Sequence, residues 1–114
     1  MFNDVTSVSL HSALDGLALR QRVIADNISN INTPGFLAGK VQFEDALRSA
    51  IAQRAPGTAE ASTARSLEPT REDGNNVNLD RETLDNVETG LSYQLALRAM
   101  DQQYGLLRSA LRTS

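Results

Sequence analysis

The stretch Ala25-Asp26-Asn27-Ile28-Ser29-Asn30-Ile31-Asn32-Thr33-Pro34-Gly35-Phe36, ADNISNINTPGF, sets apolar residues at helical spacing among side chains that weaken a helix. Asn, Asp and Ser compete with the backbone for hydrogen bonds and are usually placed at caps and turns. Their number here points to a demand other than local helix stability. Thr33-Pro34-Gly35-Phe36 places Pro and then Gly at its centre, the residue order of a type II turn. Pro34 also drives Thr33 out of helical geometry. A helix arriving at this stretch therefore ends near Asn32, with Phe36 anchoring the exit. Asn27, Asn30 and Asn32 are candidates for hydrogen bonds to the turn backbone and to neighbouring chains, since an amide donates and accepts at once. Simple capping of a fraying helix end is the alternative.

Upstream, Leu10, Leu14, Leu17, Ile24, Ile28 and Ile31 recur at steps of four and three, with Gln21 filling the one missing step. That is a heptad seam on a helix starting near Asn3 or Asp4, roughly 42 Å long at 1.5 Å per residue. At the other end Tyr93, Leu97, Met100, Tyr104, Leu107 and Leu111 repeat without a gap. Leu84, Val87 and Leu91 continue an apolar face out of phase with that seam, and Leu95, Ala99, Leu106 and Ala110 widen it. So wide a face implies contact with more than one neighbouring helix. Asp80, Glu82, Asp85 and Glu88 near the start of this helix and Arg98, Arg108 and Arg112 near its end complement the macrodipole. Asn78 is the expected N-cap. Before it, Asp73-Gly74-Asn75-Asn76-Val77 reads as a polar turn with Gly74 or an Asn in a left-handed conformation.

Between the two ends, Phe43–Ala52 makes a short amphipathic helix using Phe43, Ala46, Leu47, Ala50 and Ile51. From Gln53 to Glu72 the only large apolar residue is Leu67, and this stretch reads as a mobile loop. The expectation is an all-α fold: an antiparallel, coiled-coil-like pair of long terminal helices with a turn, a short helix and a flexible middle loop. With 114 residues the chain makes one structural domain, divided into 1–36, 37–72 and 73–114. Two helices and a loop make a thin core, so packing in an oligomer is expected to complete it.

Composition excludes several classes of function. The formal net charge is −3 and no basic cluster is present, which speaks against nucleic-acid binding. Cysteine is absent, and with it disulfides, thiolate metal sites and thiol catalysis. His11, the only histidine, has no Ser or Cys motif beside it and reads as a solvated surface residue. A calcium loop starting at Asp73 would need an oxygen ligand at position 77, glycine at 78 and glutamate at 84, where the chain has Val77, Asn78 and Leu84. Asn27-Ile28-Ser29 is a chance match to a glycosylation acceptor, on a helical seam. No stretch approaches the roughly 20 apolar residues that span a bilayer. Residues Met1 to Ser7 carry no positive charge and precede no apolar run, so no cleavable secretory signal is read there. No catalytic residues, cofactor, metal or small-molecule substrate are expected.

The opening stretch resembles the signature near the N-terminus of the bacterial flagellar rod and hook proteins, approximately A-N-N-[IL]-A-N-x-x-T-x-G-[FYW]. Ala25, Asn27, Ile28, Asn30, Thr33, Gly35 and Phe36 match, Pro34 is often seen there, and Asp26 and Ser29 depart mildly. Asp73 to Glu82, DGNNVNLDRE, and Leu106 to Arg112, LLRSALR, are similar to members at the base of the rod. The resemblance covers roughly residues 5 to 50 and 73 to 112 and leaves the middle uninformed. It implies a structural, non-enzymatic subunit of the proximal rod of the flagellar basal body, in the periplasmic space, helping to join the membrane ring to the rod. It further implies terminal helices packed around a central channel and passage through the flagellar type III export apparatus without cleavage. Implied partners are other copies of itself, other rod proteins, the adaptor FliE and the membrane ring protein. Residues expected at contacts between subunits are the turn signature, Asp73 to Val77, and the seam from Tyr93 to Leu111. Periodicity alone also fits a small soluble helical adaptor or export chaperone that binds partner helices.

Overall fold

A computed structural model describes residues 5–113. In chain order the elements are α1 (Val5–Ser29), β1 (Gly39–Gln42), α2 (Glu44–Ala52), β2 (Ser62–Arg65) and α3 (Leu79–Thr113). The expected helix start near Asn3 or Asp4 lies outside the described residues. The terminal helices run antiparallel: Asn27 meets Glu82 at one end, and the His11 ring lies 3.3 Å from the Tyr104 hydroxyl toward the other. α1 ends at Ser29, slightly before the expected Asn32, because its last turn tightens. Ile31 and Thr33 donate to the carbonyls three residues back, Ile28 and Asn30. The Phe36 amide then closes the turn onto Thr33 O at 3.2 Å, with Gly35 at φ +75° as a Pro-Gly turn requires.

On α1, Leu17 and Ile24 are buried and the rest of the seam is half-buried. On α3, Met100 is buried and Tyr93, Tyr104 and Leu107 are half-buried. Leu97 and Leu111 stay exposed, so the contact is narrower than the gapless heptad suggested. Leu97 is turned about 60° from Met100, to the edge of the contact, and Leu111 lies two turns past Tyr104, which meets His11, at the level of the first turn of α1.

The fold is mostly helical, with one addition that corrects the all-α expectation. β1 and β2 pair antiparallel, Gly39 opposite Arg65 and Gln42 opposite Ser62. The segment expected to be a mobile loop therefore holds a 3-10 turn at Pro56–Thr58 and a strand. All four β2 residues are exposed, so the strand lacks the apolar alternation by which a sequence announces one. It is held through its backbone, by pairing with β1 and by Ser66 N on Ala38 O (2.8 Å), and through one side chain, Arg65 Nη1 donating to Leu37 O (2.9 Å).

The core lies where this sheet and α2 meet α1. Leu17, Val41 and Phe43 form its centre, with Leu19, Val23, Leu47 and Tyr93 around them. The Phe43 ring lies against Gly16, and the Arg20 guanidinium covers it 4.8 Å from the ring centre. Arg20 also donates to Val41 O at 2.9 Å and pairs with Glu44. Of the expected α2 face, Ala50 is buried and Leu47 half-buried, whereas Ala46 and Ile51 are exposed. Beyond this core the two long helices continue nearly alone, and the molecule measures 66 × 26 × 14 Å. Its accessible surface is 7760 Å². A compact protein of this mass exposes roughly 6,100 Å².

A Cβ on Gly16 would lie 2.5 to 2.7 Å from three atoms of the Phe43 ring, whereas one on Gly90 meets nothing within 4 Å. Gly16→Ala is therefore expected to lower stability by about 1–3 kcal/mol through overpacking, despite its better helix propensity. Gly90→Ala is expected to raise it by about 0.5–1 kcal/mol. Urea unfolding of the two variants separates them, and equal shifts in the same direction would contradict the packing.

Candidate functional site

Folding brings the two asparagine-bearing segments together at one end of the helix pair. Gly74 adopts φ +84°, the left-handed turn expected there, and a Cβ on it would come within 3.3 Å of the Gly35 Cα. The two turns thus sit back to back, joined by Gly35 N on Asp73 O (2.8 Å) and Asn76 N on Phe36 O (3.2 Å). Chain that has left a helix without entering a full sheet carries polar groups with no regular partner. Three asparagine side chains supply most of those partners.

Asn27 is 1% exposed. Its Oδ1 accepts Gly39 N at 2.9 Å, while its Nδ2 donates to Gly39 O at 2.9 Å and to Glu82 Oε1 at 3.0 Å. The amide thus pairs with Gly39 as a neighbouring strand would. Together with Arg20 on Val41 O, it closes the outer edge of β1 from α1. Asn75 has no exposed surface. Its Nδ2 donates to both Asn30 O and Thr33 O at 2.8 Å, and its Oδ1 accepts Val77 N at 2.8 Å. Asn76 accepts Ala38 N at 2.7 Å and donates to Ser66 O and Glu68 O, both at 3.1 Å, fastening the end of β2 to the start of β1. A carboxylate in any of these places would accept but could not donate.

The remaining signature residues are more local. Asn30 donates to Asp26 O at 2.8 Å and accepts the Thr33 hydroxyl at 3.0 Å, within one turn of chain. Asn32, Thr33, Pro34, Gly35 and Asp73 are exposed at the tip, Ile28 and Phe36 are half-buried, and Val77 is buried. Asn78 caps α3 as expected, its Oδ1 accepting Arg81 N at 3.2 Å. Sequence reasoning passed over Glu82, Arg20 and Arg71 as site residues. Arg71 donates from its two terminal nitrogens to Val77 O and Ile31 O, tying the second turn to the end of α1. Nothing local marks an arginine for such a role. Asn27 did carry a signal, being an amide three residues after Ile24 on the apolar face of a helix.

Among the described residues no group of His, Cys, Asp or Glu is placed to hold a metal, and no helix is long and apolar enough to cross a membrane. Residues 9–36, which contain the first turn, match the family described as flagella basal body rod protein. Over most of its length the chain is similar to the FlgB rod proteins. It is 36% identical to that of Borrelia hermsii, over 75% of this chain and 79% of that protein. It is 30% identical to that of Aeromonas hydrophila, over 88% and 87%. The chain belongs to the FlgB family of flagellar basal body rod proteins. The FlgB protein of Escherichia coli K12 is 31% identical, over 80% of this chain and 81% of that protein. FlgB membership makes the chain a structural protein of the basal body rod and not an enzyme. The buried amides are accordingly read as a scaffold.

Two outcomes follow from that scaffold. Asn27→Ala leaves Gly39 and Glu82 without their partner and is expected to cost about 2–4 kcal/mol, whereas Asn30→Ala, with local and partly solvated bonds, costs less than about 1 kcal/mol. Urea midpoints measure the difference, and equal losses would contradict it.

Glu82 is 7% exposed. Burial pushes its carboxyl above the usual range and the charge of Asp85 adds to this, against the Asn27 amide, which favours the ionised form. A raised folded-state value means that Glu82 adds stability in mild acid, and that this is lost as pH rises through that value. Glu82→Gln keeps an acceptor for Asn27 and carries no charge. Its urea midpoint is expected to exceed the parent's at pH 7, with the gap closing toward about pH 4. A gap independent of pH would contradict the assignment.

Proposed function

We propose that the chain polymerises through its terminal helices in the proximal rod, helping to join the membrane ring to the rod within the periplasmic space. In this reading its neighbours are further copies, other rod proteins, the adaptor FliE and the ring protein. Its way there is the flagellar type III export apparatus, without removal of a signal peptide. The observation that carries the reading is that α3 has two apolar faces. One packs on α1 through Tyr93, Met100, Tyr104 and Leu107. The other, with Leu84, Val87, Leu91, Leu95 and Leu106, is 53 to 66% exposed. A helix apolar on opposite sides suits the interior of an assembly. The large accessible surface supports the same reading, since a chain that buries too little alone gains its missing burial from neighbours. At the junction, Asn32, Thr33, Pro34 and Asp73 are the signature residues left facing outward for a neighbouring subunit.

The test compares the two faces. Leu91→Asp, on the exposed face, is expected to leave the helical circular dichroism of the isolated chain unchanged. The variant should nonetheless be missing from purified basal bodies, with swimming lost. Met100→Asp places a charge against α1 and is expected to lose both fold and incorporation. Normal swimming with Leu91→Asp would count against the reading.

A further inference from the structure

The exposed face of α3 carries one mirrored pair of leucines, and its charges lean to opposite signs at its two ends. At 3.6 residues per turn, Leu84, Val87, Leu91, Leu95 and Leu106 fall within roughly 100° of arc, centred about half a turn from the face buried on α1. Leu84 and Leu106 lie eleven residues to either side of Leu95, and Leu91 and Ala99 four to either side. Eleven residues close three turns almost without drift, so the leucines stay aligned on a nearly straight helix. Leu84 and Leu106 therefore match in both directions from Leu95, whereas Val87 answers to Gln103. The charge leans to opposite signs across the same point: Asp80, Asp85 and Glu88 outnumber Arg81 before it, and Arg98, Arg108 and Arg112 outnumber Asp101 after it.

We propose that two unassembled copies of this chain pair through this face, with their α3 helices antiparallel and Leu95 at the dyad. Leu84 then meets the partner's Leu106, and the acidic half of each helix faces the basic half of the other. Asp80 lies nearly level with the partner's Arg112, and the two macrodipoles oppose. Parallel pairing in register would match the same leucines but set like charges side by side, which costs affinity. A two-fold contact is self-complementary and closed, whereas a shaft grows by a repeated head-to-tail contact. The dimer is thus a state outside the rod, holding covered the leucines that would otherwise meet water. The proposal rests on the reading above in one respect, that the outward face of α3 is an association surface, and it names a second copy as the occupant before assembly.

The chain has no cysteine, so single introduced thiols report the pairing directly. Under mild oxidation of the purified full chain, Leu95→Cys is expected to form a covalent dimer. Leu84→Cys or Leu106→Cys alone should do no more than Ala46→Cys, an exposed control on α2. A mixture of Leu84→Cys and Leu106→Cys should cross-link to each other. Leu95→Asp is expected to sediment as a monomer with unchanged circular dichroism. If Leu95→Cys stays at the control level, or if Leu84→Cys pairs preferentially with Leu95→Cys as a parallel stagger of one repeat requires, the antiparallel dimer is overturned. Loss of incorporation by Leu91→Asp alongside a negative result with Leu95→Cys overturns the dimer alone and leaves the rod reading standing.

Discussion

Backbone that leaves a helix keeps its need for hydrogen bonds, and the architecture of this chain follows from how that need is met. Between Asn30 and Asn78, apart from α2 and the 3-10 turn, the chain makes two turns and two short strands in place of a full sheet. Its amides and carbonyls are answered by Asn27, Asn75 and Asn76, each from a segment distant in sequence from at least one group it serves. An unsatisfied buried polar group costs about 1–3 kcal/mol, so a junction holding many of them either closes completely or opens. No buried side-chain nitrogen or oxygen among the described residues is left without a partner. That completeness makes a rigid corner out of residues with weak regular propensity.

The corner contrasts with the opposite end of the molecule, where α1 and α3 run on with little beside each other but the turn at Pro56–Thr58, bonded to Ser12. One end is specified by directional bonds and the other by an apolar seam that is non-directional and shared with whatever lies outside. In a rod subunit this division is useful. The geometry of the turn is set within the chain, while the helices stay open to burial by neighbours.

Much of this was legible in the sequence, for identifiable reasons. The Pro34-Gly35 turn, the left-handed Gly74, the Asn78 cap and both terminal helices depend on local chemistry, which a short window of sequence contains. The strand at Ser62–Arg65 does not, because none of its side chains is buried and it is held chiefly by backbone pairing with a partner more than about 20 residues earlier. The roles of Asn27, Glu82 and Arg71 depend on which backbone groups the fold delivers to them, and no spacing rule encodes that. Gly16 is similar, since its lack of a side chain matters only because Phe43 arrives from beyond the turn. The heptad in α3 read as one continuous contact, yet Leu97 lies at its edge and Leu111 two turns past the level of His11 and Tyr104, where α1 is at its first turn.

The way β2 is held also bears on how this chain can change. Its four side chains are all exposed, and its fastenings are main-chain groups gripped by β1 and by Asn76, with one side-chain bond from Arg65 to Leu37 O. Any residue other than proline presents those same groups. Selection acting through the fold is therefore nearly blind to the identities of Ser62, Thr63 and Ala64, and less so to Arg65. It is much less blind to the number of residues that bring Ser66 and Glu68 within reach of a single amide. Substitutions can accumulate in this strand while its register stays fixed, and changes of length are best absorbed just before it, in the exposed chain at Glu60 and Ala61.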